Sequence, residues 1–119
     1  MSIIKINKSE LLNNSSDTVL GQTLFFKYGD QFDFSGPTKA HNYDCEALIA
    51  AADSLTLFSK NWQNQEVRKY TIPCQWEGEY VATFSESFNV GGLITDAAFD
   101  PISNQIALLG YNDLGTGIY

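Results

Sequence analysis

Basic residues are scarce: seven Lys and Arg stand against fourteen Asp and Glu, a formal charge of −7 over 119 residues. A chain of that sign cannot neutralise a phosphate backbone and release its counterions, which argues against nucleic acid as a partner. Long apolar runs are missing too. The stretch Ala47 to Ala52 spans six residues, whereas a bilayer-crossing helix needs roughly 20, so no membrane insertion is expected. His41 is the single histidine, and Cys45 and Cys74 are the only cysteines. A structural zinc site wants about four such ligands at short spacing, and no Cys-x-x-Cys pair occurs. The two cysteines fit either one bridge closing a long loop or two buried thiols, and spacing alone does not decide. No Gly-x-Ser-x-Gly elbow is present, which disfavours serine hydrolase chemistry. The opening Met1-Ser2-Ile3-Ile4-Lys5-Ile6 lacks the basic region, apolar stretch and cleavage site of a secretory signal. Helical periodicity is nearly absent as well. Only Lys8-Ser9-Glu10-Leu11-Leu12 suits a helical turn, with Ser9 as its cap, and it is too short to stand alone.

What the chain does contain is β-branched, aromatic and Ala-rich runs bounded by turn residues. They predict strands at Ile3–Ile6, Thr18–Tyr28, Glu46–Ala52, Leu55–Lys60, Val67–Ile72, Tyr80–Val90, Leu93–Phe99 and Gln105–Tyr111. Asp53-Ser54 suits a tight hairpin, and Asp100-Pro101-Ile102-Ser103-Asn104 a longer one. The expected class is all-β, with antiparallel four-stranded sheets arranged as β-propeller-like blades, or alternatively a β-sandwich. Ala47–Ala52 and Ile106-Ala107-Leu108-Leu109 are apolar on both faces, which predicts cover on both sides of those strands. A weak echo favours repetition. Ala52-Asp53 followed by Leu55-Thr56-Leu57-Phe58 resembles Ala97-Ala98-Phe99-Asp100 followed by Ile106-Ala107-Leu108-Leu109, at a period of about 47 residues, within the range of propeller repeats.

Several motifs occur in a fixed order: Phe26-x-Tyr28-x-Asp30-Gln31-x-Asp33-Phe34, Asn42-Tyr43-Asp44-Cys45-Glu46-Ala47-Leu48, Leu57-Phe58-Ser59-Lys60-Asn61-Trp62, Tyr70-Thr71-Ile72-Pro73 and Gly92-Leu93-Ile94-Thr95-Asp96-Ala97. Together they span Thr23 to Tyr111 and resemble the uncharacterised secreted β-propeller-like proteins of Bacteroidetes. Longer members of that family carry a signal peptide and sometimes a C-terminal sorting domain. The resemblance implies propeller blades and an extracytoplasmic home (secreted, periplasmic or cell surface), and it implies no established reaction. On this reading residues 1–43 end one blade, 44–90 form a complete blade and 91–119 begin the next. Propellers close with roughly 4–8 blades, so two blade equivalents are expected to belong to a longer precursor or to self-associate, three copies supplying six blades by cyclic closure.

Asp44 and Glu46 are the leading ligand candidates, because carboxylates two residues apart on an extended segment point the same way. The segment resembles the Asp-x-Glu-Gly/Ala-Leu entry strands of phytase-like and esterase-like propellers, which implies calcium or a hydroxyl-rich ligand there. Calcium takes six to eight oxygen ligands, so other blades would supply the remainder; the alternative is a structural pair satisfied locally. His41 could serve as a general base oriented by Asp44. Asp30 and Asp33 add acidity on the loop through Gly29, Gly36 and Pro37, without the calcium-loop pattern. Gly91-Gly92 reads as a turn or bulge. Trp62 and Trp76 lie in predicted loops and suit saccharide stacking, with Tyr70, Tyr80 and Tyr111 as further aromatic candidates.

These features predict a non-catalytic binding or interaction module of a secreted or cell-surface propeller protein. Its ligand-facing residues would be Asp44, Glu46, Trp62 and Trp76, and its ligand a saccharide or other small polar molecule. The alternatives are a fragment of a calcium-dependent hydrolase-like propeller and a purely structural assembly unit.

Overall fold

The computed structural model describes residues 1–13, 17–51, 53–75 and 77–112. Among them eight strands form: β1 (Ser2–Ile6), β2 (Gly21–Tyr28), β3 (Asp44–Ala51), β4 (Ser54–Lys60), β5 (Glu66–Pro73), β6 (Gly78–Asn89), β7 (Leu93–Asp100) and β8 (Gln105–Tyr111). The all-β expectation holds. β2 begins at Gly21 rather than Thr18. The expected helical turn is α1 (Lys8–Asn13), but its cap is Asn7 rather than Ser9. The Asn7 Oδ1 accepts both the Ser9 backbone N–H at 3.0 Å and the Ser9 hydroxyl at 2.7 Å, satisfying a donor that the helix start leaves open.

Strands β3, β4, β5 and β6 pair antiparallel in sequence order, as the turn signals predict. They do not stand alone as a four-stranded sheet. β2 lies parallel against β6, Leu24 opposite Gly78 and Tyr28 opposite Ala82, and β1 pairs antiparallel with β2. The result is a curled, mixed six-stranded sheet in the order β1-β2-β6-β5-β4-β3, with β7 and β8 as a separate two-stranded sheet.

Alternation along the strands divides the apolar residues between two cores. The inner face of the curl carries Leu24, Phe26, Tyr28, Leu55, Leu57, Tyr70, Ile72 and Ala82, all buried. On the outer face, Ala47, Ile49, Phe58 and Val67 are closed over by Ile94, Ala97 and Leu108 of the β7–β8 hairpin. This arrangement corrects the expectation of two-sided cover. β3 is an edge strand whose Leu48 remains 37% exposed, and Ile106 and Leu109 of β8 are 46% and 48% exposed.

Two glycines shape the hairpin's approach. Gly91 turns the chain between β6 and β7 at φ +65°, its N–H donating to Asn89 Oδ1 at 2.8 Å, a conformation that costs glycine nothing. At Gly110 a Cβ would lie 2.6 Å from the Leu93 carbonyl oxygen, so glycine lets β8 run close to β7 beside the register shift at Ile94/Asp96. At the tip the Asp100 carboxylate accepts N–H groups from Ile102 and Ser103 and the Ser103 hydroxyl, which holds its pKa below the ordinary carboxylate range. Both cysteines are free thiols, half-buried against the inner core.

Candidate functional site

The turn that follows β4 is built from buried polar residues, and it carries Trp62 to the mouth of β3. Ser59 and Asn61 are fully buried. The Ser59 hydroxyl donates to Asn61 Oδ1 and accepts the Arg68 N–H at 3.0 Å, and the Asn61 carbonyl accepts the Gln65 N–H at 3.0 Å. From the opposite side Asn42 Oδ1 accepts the Gln63 N–H at 2.9 Å, while the Gln63 side chain donates to the Ala40 carbonyl at 2.6 Å. These bonds staple residues 61–65 to residues 40–44, far apart in sequence.

Within that frame three of the four expected ligand residues come together. Trp62 Nε1–H donates to Asp44 Oδ2 at 3.0 Å. Glu46 is the extra residue at the register shift between Cys45 and Ala47, and the Lys60 ammonium donates to both of its carboxylate oxygens at 3.0 Å. Lys60 is only 5% exposed. Its Nζ lies 4.6 Å from the Trp62 ring centroid and 5.0 Å from that of Tyr111, with Lys39 Nζ 5.0 Å from Trp62. Burial works against the Lys60 ammonium, but hydrogen bonds to Glu46 and Tyr111 outweigh it and raise the pKa. Each carboxylate therefore has a protein donor, and the indole is bracketed by two cations. Trp76, the fourth expected residue, lies outside the described residues. Among the described residues no three His, Cys, Asp or Glu side chains gather as a metal-holding group.

A second polar cluster closes the same end of the inner core, and sequence reasoning missed it. Asp30 Oδ2 accepts from Arg68 Nη1 and from the Tyr70 hydroxyl, each at 3.2 Å. Arg68 Nη1 also donates to the Tyr43 hydroxyl at 3.2 Å, and that hydroxyl donates to the Asp30 carbonyl at 2.8 Å. Tyr28 packs between Tyr43 and Tyr70, with centroids 5.4 and 4.4 Å away. Its buried hydroxyl and Asp30 Oδ1 have no hydrogen-bond partner among the described residues. Burial, with the neighbouring Cys45 thiol, pushes the Tyr28 pKa far up, and burial raises those of Tyr70 and Cys45 as well. The only sequence signal for this cluster is the Tyr28-x-Asp30 spacing, whose partners lie 38 and 40 residues further on.

The remaining candidates separate. Asp33 accepts the Ser35 N–H at 2.8 Å, and bonding to Ser35 holds its pKa low; it is spent on a local turn rather than joined to Asp44 and Glu46. His41 Nδ1 accepts the Tyr43 N–H at 3.1 Å, so that nitrogen serves the backbone. His41 and Asp44 do line one groove of about 300 Å³, together with Phe26, Gln31, Phe34 and Tyr43. Of the aromatic rings in its lining, Phe26 is buried, Tyr43 half-buried and Phe34 exposed. Tyr70 is buried in the inner core, while Tyr80 packs at its margin, so neither joins Trp62 on one surface. No helix among the described residues is long and apolar enough to cross a membrane. No protein-family model, no curated protein and no solved structure matches this chain.

Proposed function

We propose that the chain is a non-catalytic binding and interaction module that works within a larger, extracytoplasmic β assembly. The observation that carries this reading is the β7–β8 hairpin. Among the described residues it is a sheet of two strands, and Phe99 and Ile106 near its tip are 41% and 46% exposed. Its base is held by packing on the six-stranded sheet, but open strand edges with apolar side chains at its tip recruit further protein. A second copy of the chain is the proposed occupant. The extracytoplasmic home rests on the family resemblance alone.

In this reading Asp44, Glu46 and Trp62 act first as a polar clasp that fixes the groove beside His41 and Tyr43, where a saccharide or another small polar ligand would bind. A calcium-dependent hydrolase-like role is less favoured, because calcium would have to displace Trp62 from Asp44 or Lys60 from Glu46. The deciding experiment is the solution mass of the 119-residue chain by multi-angle light scattering at micromolar concentration, with a parallel calcium titration of its melting temperature. A discrete oligomer whose melting is indifferent to calcium is the expected result. A folded monomer overturns the assembly reading. A calcium-dependent rise in melting temperature, the mass-action signature of a cation bound only by the native state, would instead favour the hydrolase-like alternative.

A further inference from the structure

Residues 40–44, which form one wall of the groove, are pinned by a hydrogen bond at every position, and one of those bonds exists in a single protonation state. The Ala40 carbonyl accepts from the Gln63 side chain and Asn42 Oδ1 from the Gln63 N–H. The Tyr43 hydroxyl joins Arg68 to the Asp30 carbonyl, and Asp44 Oδ2 accepts from Trp62. The remaining bond is that of His41 Nδ1 with the Tyr43 N–H, at 3.1 Å. A ring nitrogen accepts only through a free lone pair, so this bond requires Nδ1 without a proton and places the ring proton of the neutral imidazole on Nε2. A second proton turns Nδ1 into a donor facing a donor, and the bond is lost. Imidazole is the side chain whose charge ordinarily changes between about pH 5 and 8.

The half-buried ring has charges of both signs around it. Asp33, on the loop after β2, interacts electrostatically with His41, and its own bonds to Ser35 hold its pKa low, so it is ionised throughout that range. Asp44 of β3, Lys27 of β2 and Met1 line the same groove, the Met1 amino group donating to the Phe26 carbonyl at 2.8 Å. Lys39 stands two residues before His41. Behind the Tyr43 ring, 6.1 Å from the imidazole, Arg68 and Asp30 are paired with one another. A protonated ring released from Tyr43 carries two N–H donors and has the Asp33 and Asp44 carboxylates near it to accept them.

We infer that His41 is a proton-operated catch on the groove. The neutral ring holds the turn at residues 41–43 through the Tyr43 N–H; the protonated ring lets go of it and turns toward the acids. The groove lining then shifts through Thr38, whose carbonyl accepts the His41 N–H at 3.4 Å. The bond is complete on the alkaline side of the His41 titration and is lost as pH falls through it. The catch is a property of the fold, whereas its regulating a ligand rests on the binding reading proposed above.

His41 is the single histidine, so its ring signals report its protonation unambiguously in NMR of the 15N-labelled chain titrated from pH 8 to pH 5. At pH 8 the ring is expected as the Nε2–H tautomer. As it gains its second proton, the Tyr43 amide signal is expected to move and its exchange protection to fall about two- to tenfold, the worth of one hydrogen bond. The Thr38 amide is expected to follow at the same midpoint. His41→Asn is the control: Asn Oδ1 accepts the N–H two residues on and does not titrate, so both amides should then be steady across the range. An Nδ1–H tautomer at pH 8, a Tyr43 amide unchanged through the His41 titration, or the same step in His41→Asn each overturns the catch. A step at Tyr43 without one at Thr38 overturns its reach into the groove. These readouts need no ligand, so the catch stands or falls apart from the binding reading.

Discussion

Trp62 and Asp44 meet across 18 residues of sequence through an indole N–H donated to a carboxylate at 3.0 Å, while the same ring lies 4.6 Å from the Lys60 ammonium. Trp62 thus joins the acid that opens β3 to the cation that ends β4. Replacing it separates the two contributions. Trp62→Phe keeps a ring near Lys60 but leaves Asp44 without its donor, and is expected to cost about 1–2 kcal/mol. Trp62→Ala also strips the ring and should cost about 2–3 kcal/mol for a half-buried aromatic. Asp44→Asn retains an acceptor and should cost under about 1 kcal/mol. Urea midpoints of the three variants check the order; Asp44→Asn as damaging as Trp62→Ala would contradict it.

The strands were legible because period-two alternation and turn residues are local. β4 and β8 lie within one residue of their sequence limits, and the β3–β6 meander follows from three short connections. The parallel β2–β6 pair was not legible. Leu24 and Gly78 meet across 54 positions, and no local signal tells β2 which strand to join. Asp44, Glu46 and Trp62 were found by residue type, but their partners were not. Lys60 reads as the polar end of a strand, and only the β3–β4 register and the bulge at Glu46 set its ammonium on that carboxylate. Double cover of β3 and β8 was expected from composition, but an edge strand rich in alanine can be apolar on both faces and sealed on one.

The tyrosine cluster offers a paired contrast. Tyr28 is 1% exposed and its hydroxyl has no hydrogen-bond partner among the described residues, whereas the Tyr70 hydroxyl donates to Asp30 at 3.2 Å. The Tyr28 hydroxyl has only the Cys45 thiol, a weak partner, beside it, so Tyr28→Phe is expected to change stability by less than about 1 kcal/mol. Tyr70→Phe removes a bond to a charged acceptor and should cost about 1–2 kcal/mol. Chemical denaturation of both variants checks the order, and a loss in Tyr28→Phe as large as that in Tyr70→Phe would mean that the contact with the Cys45 thiol is a strong one.

Glu46 and Lys60 form an ion pair that is asymmetric in exposure, with side chains 36% and 7% exposed. Removing the carboxylate leaves a buried ammonium with only aromatic faces and the Tyr111 hydroxyl, so Glu46→Gln should cost about 1–2 kcal/mol after allowing for solvent at the acid. The double variant Glu46→Gln with Lys60→Met removes both charges and should recover part of that loss, since a buried pair replaced by apolar volume is often neutral. A double-mutant cycle on urea midpoints reads this directly. No recovery in the double variant would mean that Lys60 contributes through its ring contacts rather than its charge.

Alkaline pH should unfold the protein by a route that follows from four groups set into its core. Burial raises the folded-state pKa of Cys45, Tyr28 and Tyr70, and hydrogen bonds to Glu46 and Tyr111 raise that of Lys60 against its own burial. In the unfolded chain these groups lose their protons near about 8.5 for cysteine and about 10 for tyrosine and lysine. Above those values the unfolded state has released protons that the folded state still holds, so rising pH favours unfolding. The stability they contribute is complete below about pH 8.5, begins to fall there with Cys45, and falls more steeply above about pH 10, each group adding at most about 1.4 kcal/mol per pH unit. Cys45→Ala should flatten the lower part of the curve and Tyr28→Phe the upper part. Urea midpoints from pH 7 to pH 11 measure both, and a wild-type midpoint that stays level through pH 11 would show that these groups ionise alike in the folded and unfolded chain.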